Sequence, residues 1–223
     1  MNVNTGTLYI VSTPIGNLED ITLRAIQTLK DVDLIAAEDT RHTKILLDRY
    51  AISKKQISFF SYNSLRRKDE IIDLLKAGKN IALVSDAGTP GISDPGFTLI
   101  RTAIDNNMPV VAIPGPTALI MALVVSGKPT AKFVFEGFLS NKQAKRKNRL
   151  AFLKSEERTV ILYESCHRIV KLLMDILDIM GDIEIVITRE LTKKFEEIKR
   201  DKTSILLDHF SKIKPKGEFI VII

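Results

Sequence analysis

This sequence predicts an α/β fold built on a parallel sheet, and three observations predict it. Short apolar runs alternate with amphipathic stretches through the first half of the chain. Those runs are nearly continuous in apolar residues, the pattern of strands buried on both faces. Gly, Pro, Ser, Thr, Asn and Asp gather directly after the runs, where strands would give way to helices.

Taken in order, Leu8–Val11 reads as the first strand. Ile21–Leu29 reads as a helix, with Ile21, Ala25, Ile26 and Leu29 on one face. Strand Leu34–Ala37, helix Thr43–Tyr50, strand Ile57–Phe60 and helix Leu65–Lys76 follow. Strand Ile81–Val84, helix Pro95–Asn106 and strand Val110–Ile113 complete five β/α repeats. Gly115-Pro116 opens a very apolar helix, Thr117–Val125, and "SGKPT" (126–130) breaks it like a linker. The second half is richer in strands. Lys132–Glu136, Thr159–Tyr163, Ile183–Thr188, Lys194–Lys199 and Glu218–Ile223 read as strands. Lys142–Lys154, Arg168–Met180 and Lys202–Phe210 read as helices, with Gly181 as a C-cap. A mixed sheet is expected there. The domain boundary is placed near residue 115, giving 1–115 and 116–223.

Composition narrows the function. With one Cys (Cys166) and three widely spaced His (His42, His167, His209), no disulfide and no metal site are expected. The longest apolar stretch, 118–125, is far shorter than the ~20 residues of a membrane span, and no signal-peptide core opens the chain. The reading is a soluble, cytoplasmic protein. Net charge is +6 and unevenly placed. Residues 1–120 carry 13 basic and 13 acidic residues, whereas residues 128–149 carry seven basic residues against Glu136 alone. Such a block suits a polyanion such as RNA, although a solvated helix face would look similar. Lys142, Lys145, Arg146, Lys147 and Arg149 are the candidate RNA contacts.

Ligands of open α/β sheets bind beyond the carboxyl ends of strands. The exits here are "STPIGNLED" (12–20), "AEDTRHT" (37–43), "SYNS" (61–64), "SDAGTPGISDPG" (85–96) and "PGPTA" (114–118). In the fourth, Gly88 and Gly91 permit positive φ and close backbone approach to a ligand. Asp94 and Pro95 suit the N-cap and first position of the next helix. Asp86 has no such capping task, so a carboxylate is left for a ligand amine or ribose, or for an Asx turn. No P-loop and no G-x-G-x-x-G is present, which points away from a triphosphate or a Rossmann-bound dinucleotide. "AEDTRHT" brings carboxylates and a cation that could orient a hydroxyl nucleophile, and "YESCHR" (163–168) makes a comparable exit later.

Together with "RELTKKFEE" (189–197), these segments occur in an order that resembles the tetrapyrrole-methylase superfamily. Within it they are similar to the branch of small-subunit rRNA cytidine 2′-O-ribose methyltransferases acting near the decoding centre. The resemblance covers nearly the whole chain. One departure is Cys166, where the family usually has Pro, and a local backbone change is expected there. Many members also continue beyond the final strand, so RNA contacts made by that extension are not expected from "GEFIVII". The resemblance implies two α/β domains with S-adenosylmethionine in a cleft between them, and a homodimer. It implies cofactor contacts at Asp86, Gly88, Thr89 and Ile92, at Pro116, Thr117 and Ala118, and at Tyr163 or Glu164, Leu191 and Gly217. For methyl transfer to a ribose 2′-oxygen, Glu38, Asp39 and Arg41 are the candidate catalytic groups, with Asn17 and Asn63 orienting the ribose. The partner is then rRNA or the small ribosomal subunit. Two other readings share some of these features: a tetrapyrrole-precursor methylase of the same fold, and a non-enzymatic RNA-binding module.

Overall fold

The apolar runs of the first half become strands β1 (Leu8–Val11), β2 (Leu34–Ala37), β3 (Gln56–Ser58), β4 (Ile81–Val84) and β5 (Val110–Ile113). They are seen in a computed structural model that describes residues 5–60, 64–94 and 96–223. All four pairings between them are parallel, in the order β3-β2-β4-β1-β5. Parallel neighbours need crossovers, and helices supply them on both faces. On one face α1 (Leu23–Asp31) and α2 (Thr40–Arg49) bury Ala25, Leu29, Leu46 and Leu47 against Ile35, Ala37, Ala82 and Val84. On the other, α3 (Ser64–Lys76) and α4 (Phe97–Asp105) bury Ile71, Leu75, Leu99 and Ala103 against Leu34, Ala36, Ile81 and Leu83. Alternation along each strand sends neighbouring residues to opposite cores, which is why both faces had to be apolar.

The topology singles out one strand exit. β1 and β2 pass on to α1 and α2 on one face, and β4 between them passes on to α4 on the other. The chain therefore diverges on both sides of β4, and each divergence is a switch point of the kind that opens a ligand crevice.

The chain divides into units Met1–Thr117 and Ala118–Ile223. The second holds β6 (Phe133–Phe138), β7 (Thr159–Ser165), β8 (Glu184–Arg189), β9 (Glu197–Lys202) and β10 (Glu218–Ile222), ordered β6-β7-β10-β8-β9. Only β6 and β7 are parallel, so this sheet is mixed. On one face α6 (Gln143–Leu153), α7 (Ile169–Met180) and α8 (Thr203–Lys212) cover Val160, Leu162, Ile187 and Phe219. On the other, α5 (Ala118–Ser126) covers Ile161, Val186, Ile220 and Ile222.

Several expectations are corrected. The fourth helix starts at Phe97 rather than residue 95, and Gly96 is its N-cap at φ +151°. A Cβ on Gly96 would lie 3.2 Å from Gly91 N and 3.3 Å from Leu83 Cδ2, so the close entry of this helix selects glycine. Asp94 is thus not the cap, and Pro95 lies outside the described residues. "SGKPT" does not link the units, because Ser126 closes α5 and the segment is tied into the second unit. Thr159 Oγ1 donates to the Pro129 carbonyl at 2.7 Å, and Lys128 Nζ to the Glu184 carbonyl at 2.8 Å. β9 runs from 197 to 202 rather than 194 to 199. Its ladder pairs Arg189 with Glu197 and Glu184 with Lys202, while Lys193 is held by Glu190 and Glu218 in the preceding turn. β6 extends to Phe138 through a bulge between Phe135 and Gly137, which sequence patterning does not reveal.

Candidate functional site

The exits of β1, β2, β4 and β5 are laced to one another. Thr13 and Gly88 exchange backbone hydrogen bonds of 2.9 and 3.0 Å, and Thr13 Oγ1 donates to the Ser85 carbonyl at 3.0 Å. This pins the β4 loop onto the β1 loop at a residue whose φ of +78° suits glycine. The hydroxyls of Ser12 and Thr89 are 2.8 Å apart, as are those of Thr89 and Thr117. A hydroxyl chain therefore crosses three strand exits. Pro116 joins it through its carbonyl, 3.5 Å from Thr89 Oγ1. Ile92 caps the turn with its N–H on the Thr89 carbonyl and leaves its side chain exposed. Ser12 and Thr13, both buried, are functional candidates that individual residue reasoning missed. The available signal was a hydroxyl residue at the first position of both the β1 and the β4 exit.

On the other side of β4, half-buried Asp86 accepts the Asp39 N–H at 3.0 Å, and its own N–H donates to Glu38 Oε2 at 3.2 Å. Glu38, Asp39 and Asp86 thus converge at one switch point. Burial pushes the Glu38 carboxyl above the usual carboxylate range, against the Asp86 N–H, and the charges of Asp86 and Asp39 push the same way. Asp39 behaves oppositely. Arg41 chelates it through Nε at 3.1 Å and Nη2 at 2.7 Å, and the Arg41 N–H caps α2 on it at 2.8 Å. Those bonds hold Asp39 well below the carboxylate range, so it is a poor proton acceptor. Asn17 is placed at the β1 exit, where its side chain accepts the Glu19 N–H at 3.1 Å as the cap of a short 3₁₀ turn. Asn63 lies outside the described residues.

The second-unit candidates divide between two faces. Ala118, Tyr163 and Leu191 pack together on the α5 face with Leu119, Ile161 and Ile220. Tyr163 Oη accepts the Leu119 N–H at 3.1 Å. Glu164 follows Tyr163 in β7, so its side chain points to the other face. There it is 2 % exposed and bound to Arg168, whose Nε donates at 2.7 Å. Of the pair Tyr163 and Glu164, Tyr163 is the one on the α5 face. Gly217 sits at φ +90°, and a Cβ there would come 2.4 Å from Glu190. Glu190 in turn accepts the Glu218 N–H at 3.1 Å and Lys193 Nζ at 3.0 Å. Leu191 is flanked by left-handed Glu190 (φ +52°) and Thr192 (φ +66°), and the β-branched Thr192 is strained there. Cys166 lies in the turn closed by the Arg168 N–H on the Ser165 carbonyl at 3.0 Å.

The basic block is only partly a surface. Arg146 is 4 % exposed and donates Nε to Asp175 at 2.7 Å, so it is corrected from RNA contact to buried ion pair. Lys147 reaches Asp178 at 2.7 Å, and Arg149 holds Glu136 through two bonds of 2.7 and 2.6 Å. Lys142 and Lys145 are exposed and make no ion pair among the described residues.

The donor set can be tested for S-adenosylmethionine. The β1, β4 and β5 exits (12–20, 85–96, 114–117) contain no Lys or Arg, yet hold Asp86, Asp94, Glu19 and Asp20. A phosphate would find no cation there, whereas a sulfonium, an ammonium and ribose hydroxyls find carboxylate, hydroxyl and backbone partners. The residues fit the group. Among the described residues no cluster of His, Cys, Asp or Glu could hold a metal ion, and no helix is long and apolar enough to cross a membrane.

Comparison with known proteins finds relatives over nearly the whole chain. The profile of the tetrapyrrole (corrin/porphyrin) methylases matches residues 7–206. A protein of Thermotoga maritima named ribosomal RNA small subunit methyltransferase I is 50% identical over 218 residues, 98% of each chain. Two crystal structures share the fold at low identity. A diphthine synthase superposes with a TM-score of 0.77 at 15% identity, over 98% of this chain and 90% of its own. The uroporphyrin-III C-methyltransferase of Thermus thermophilus, complexed with S-adenosylhomocysteine, superposes with a TM-score of 0.68 at 15% identity, over 97% of each chain.

Proposed function

This chain belongs to the tetrapyrrole (corrin/porphyrin) methylase family, and we propose that it transfers a methyl group from S-adenosylmethionine to a cytidine ribose 2′-oxygen of small-subunit rRNA near the decoding centre. The observation that carries the substrate is the Thermotoga maritima relative, half identical along its whole length and named for small-subunit rRNA. The β1, β4 and β5 exits, which carry acids and no Lys or Arg, support the donor. Bound there, S-adenosylmethionine supplies a methyl group already activated on a sulfonium.

The chain's own residues then position and deprotonate. For the donor, the first unit offers Asp86 and the hydroxyl chain Ser12–Thr89–Thr117 as polar partners, and the second offers Ala118, Tyr163 and Leu191 as apolar ones. Holding the 2′-oxygen in line with the methyl carbon contributes much of the rate. Glu38 would take the proton that the 2′-hydroxyl gives up as the methyl group is transferred from sulfur to oxygen. Its raised pKa makes it a better acceptor than Asp39. Arg41 and Asp39 act as a pair that orients the ribose, and Asn17 at the β1 exit has the same task. Exposed Lys142 and Lys145 grip RNA phosphates. A homodimer belongs to the same proposal, and exposed Ile120, Met121 and Val124 on α5 offer an apolar surface for it. A solution mass of one 25.0 kDa chain at working concentrations would remove that part.

Glu38→Gln separates the acceptor role from folding. A carboxyl whose folded pKa is raised stabilises most when protonated, below its unfolded pKa, and loses that contribution as pH rises through the folded value. The ionised form of Glu38 is therefore less favourable to the fold than the protonated form. The variant is expected to melt no lower than the parent at pH 7 while transferring methyl about 10²–10⁴-fold more slowly. Its rate should also lose the acid limb of the pH profile. Unchanged rates would strike Glu38 from the site.

Reversing Lys142 and Lys145 to Glu tests the RNA grip. RNA affinity is expected to fall and the salt slope to shrink by about 0.7 per lost phosphate contact, the single-strand value. An unchanged slope would reassign both to a solvated helix face.

A further inference from the structure

Away from the strand exits, the helical face of the second unit carries a cavity of ≈ 460 Å³ at the first turns of α6 and α7. Its floor is the buried pair Arg146–Asp175, whose exposures are 4 % and 2 %. Asp175 is the single carboxylate of the lining, and both its oxygens are engaged. Oδ2 accepts Arg146 Nε at 2.7 Å, and Oδ1 accepts Gln143 Nε2 at 3.2 Å. The rest of the lining is Asn141, Arg168, Lys171 and Met174. Arg168 is fixed by Glu164 and by the Leu139 carbonyl, at 2.7 and 3.2 Å. Lys171 is exposed and makes no ion pair among the described residues. The wall thus presents cations and side-chain amides with no accessible acid. Backbone reinforces this sign. Lys142 and Arg168 are the N-caps of α6 and α7, neither makes a side-chain cap, and neither first turn contains an acid. The positive N-terminal ends of two helices therefore border the same cavity.

We propose that this cavity holds one phosphate-bearing nucleotide of a single-stranded segment of the RNA substrate. The phosphate lies against Lys171 and Arg168, while the base lies against Met174, 52 % exposed, with its edge toward Asn141 and Gln143. A cavity of this size is within the range that takes a small ligand and exceeds what a bare phosphate fills. Amides at its rim read a base edge, which an acidic peptide does not offer. Lys142 and Lys145, exposed at the start of α6, continue the positive surface from the cavity. The inference rests on the rRNA reading and adds to it an anchoring point remote in sequence from the proposed catalytic groups.

The test uses the full chain, a labelled single-stranded oligonucleotide of small-subunit rRNA sequence, and a duplex of equal length. Lys171→Glu is expected to raise the Kd for the single strand at least tenfold and to lower the salt slope by about 0.7, the value of one single-strand phosphate contact. Asn141→Ala is expected to weaken the single strand while leaving the duplex unchanged. Melting temperature and S-adenosylmethionine affinity should not move in either variant. Parent-like RNA affinity and slope in Lys171→Glu would overturn the subsite while leaving the rRNA reading intact. Absence of RNA binding by the parent, with S-adenosylmethionine bound normally, would overturn both. Polyglutamate displacing the oligonucleotide at equal concentration of charge would assign the cavity to an acidic protein instead.

Discussion

Asp86→Asn is expected to weaken S-adenosylmethionine binding by about 10- to 100-fold and to shift the melting temperature by no more than a few degrees. The carboxylate stands at the exit of the central strand, between two switch points, and the cation of its cluster, Arg41, is engaged by Asp39. A hydrogen bond to a charged group contributes roughly 1.5–3 kcal/mol, which sets the affinity range. The melting temperature is spared because the Asn oxygen can still accept the Asp39 N–H that Asp86 now holds at 3.0 Å. Asp86→Ala removes both functions, so it should lose affinity and stability together. Calorimetry on the pair distinguishes a ligand contact from a loop brace. Parent affinity in the Asn variant would leave Asp86 as a brace alone.

Arg146→Met is expected to be the largest stability change in the second unit. It strands Asp175, 2 % exposed, with Gln143 and Lys147 as its remaining polar side-chain partners among the described residues. Breaking a buried pair by removing one partner costs about 3–5 kcal/mol. For a chain of this size that corresponds to a drop on the order of 10 °C in melting temperature. Removing both charges together, as Arg146→Met with Asp175→Leu, should recover most of the loss, because no buried charge is then left unpaired. Scanning calorimetry of the single and double variants checks both statements. A single variant that melts like the parent would mean that the pair contributes nothing to the fold.

The sequence carried the sheet of the first unit well, for a physical reason. Leu34–Ala37 and Ile81–Val84 lack polar residues, and only strands covered on both faces tolerate that. Exits were legible for the same reason, since Gly88 and the hydroxyl residues sit at the ends of such runs. What escaped was long-range pairing. Arg146 shares a helical face with Leu150 and Leu153, so its inward direction was readable from the period of 3.6. Its partner Asp175 stands 29 residues away, and no local rule links them. Tyr163 and Glu164 show the complement. Alternation requires neighbours in a strand to face opposite sides, but that rule applied only once β7 was known to continue through Ser165. The chelation of Asp39 by Arg41 was equally local and legible as a cap. Its consequence, a carboxylate too acidic to accept a proton well, emerged from the geometry of two bonds.

The central claim is a methyl group on a ribose oxygen, and alkaline hydrolysis reads that position directly. Small subunits and naked small-subunit rRNA would be incubated with the full chain and methyl-labelled S-adenosylmethionine, and the RNA then cleaved in alkali. Cleavage needs a free 2′-hydroxyl, so a 2′-O-methyl group protects the bond beside it. The account predicts label in an alkali-stable dinucleotide whose first residue is cytidine. Label released in mononucleotides, marking a methylated base, or label appearing only in a tetrapyrrole offered as substrate, would contradict it.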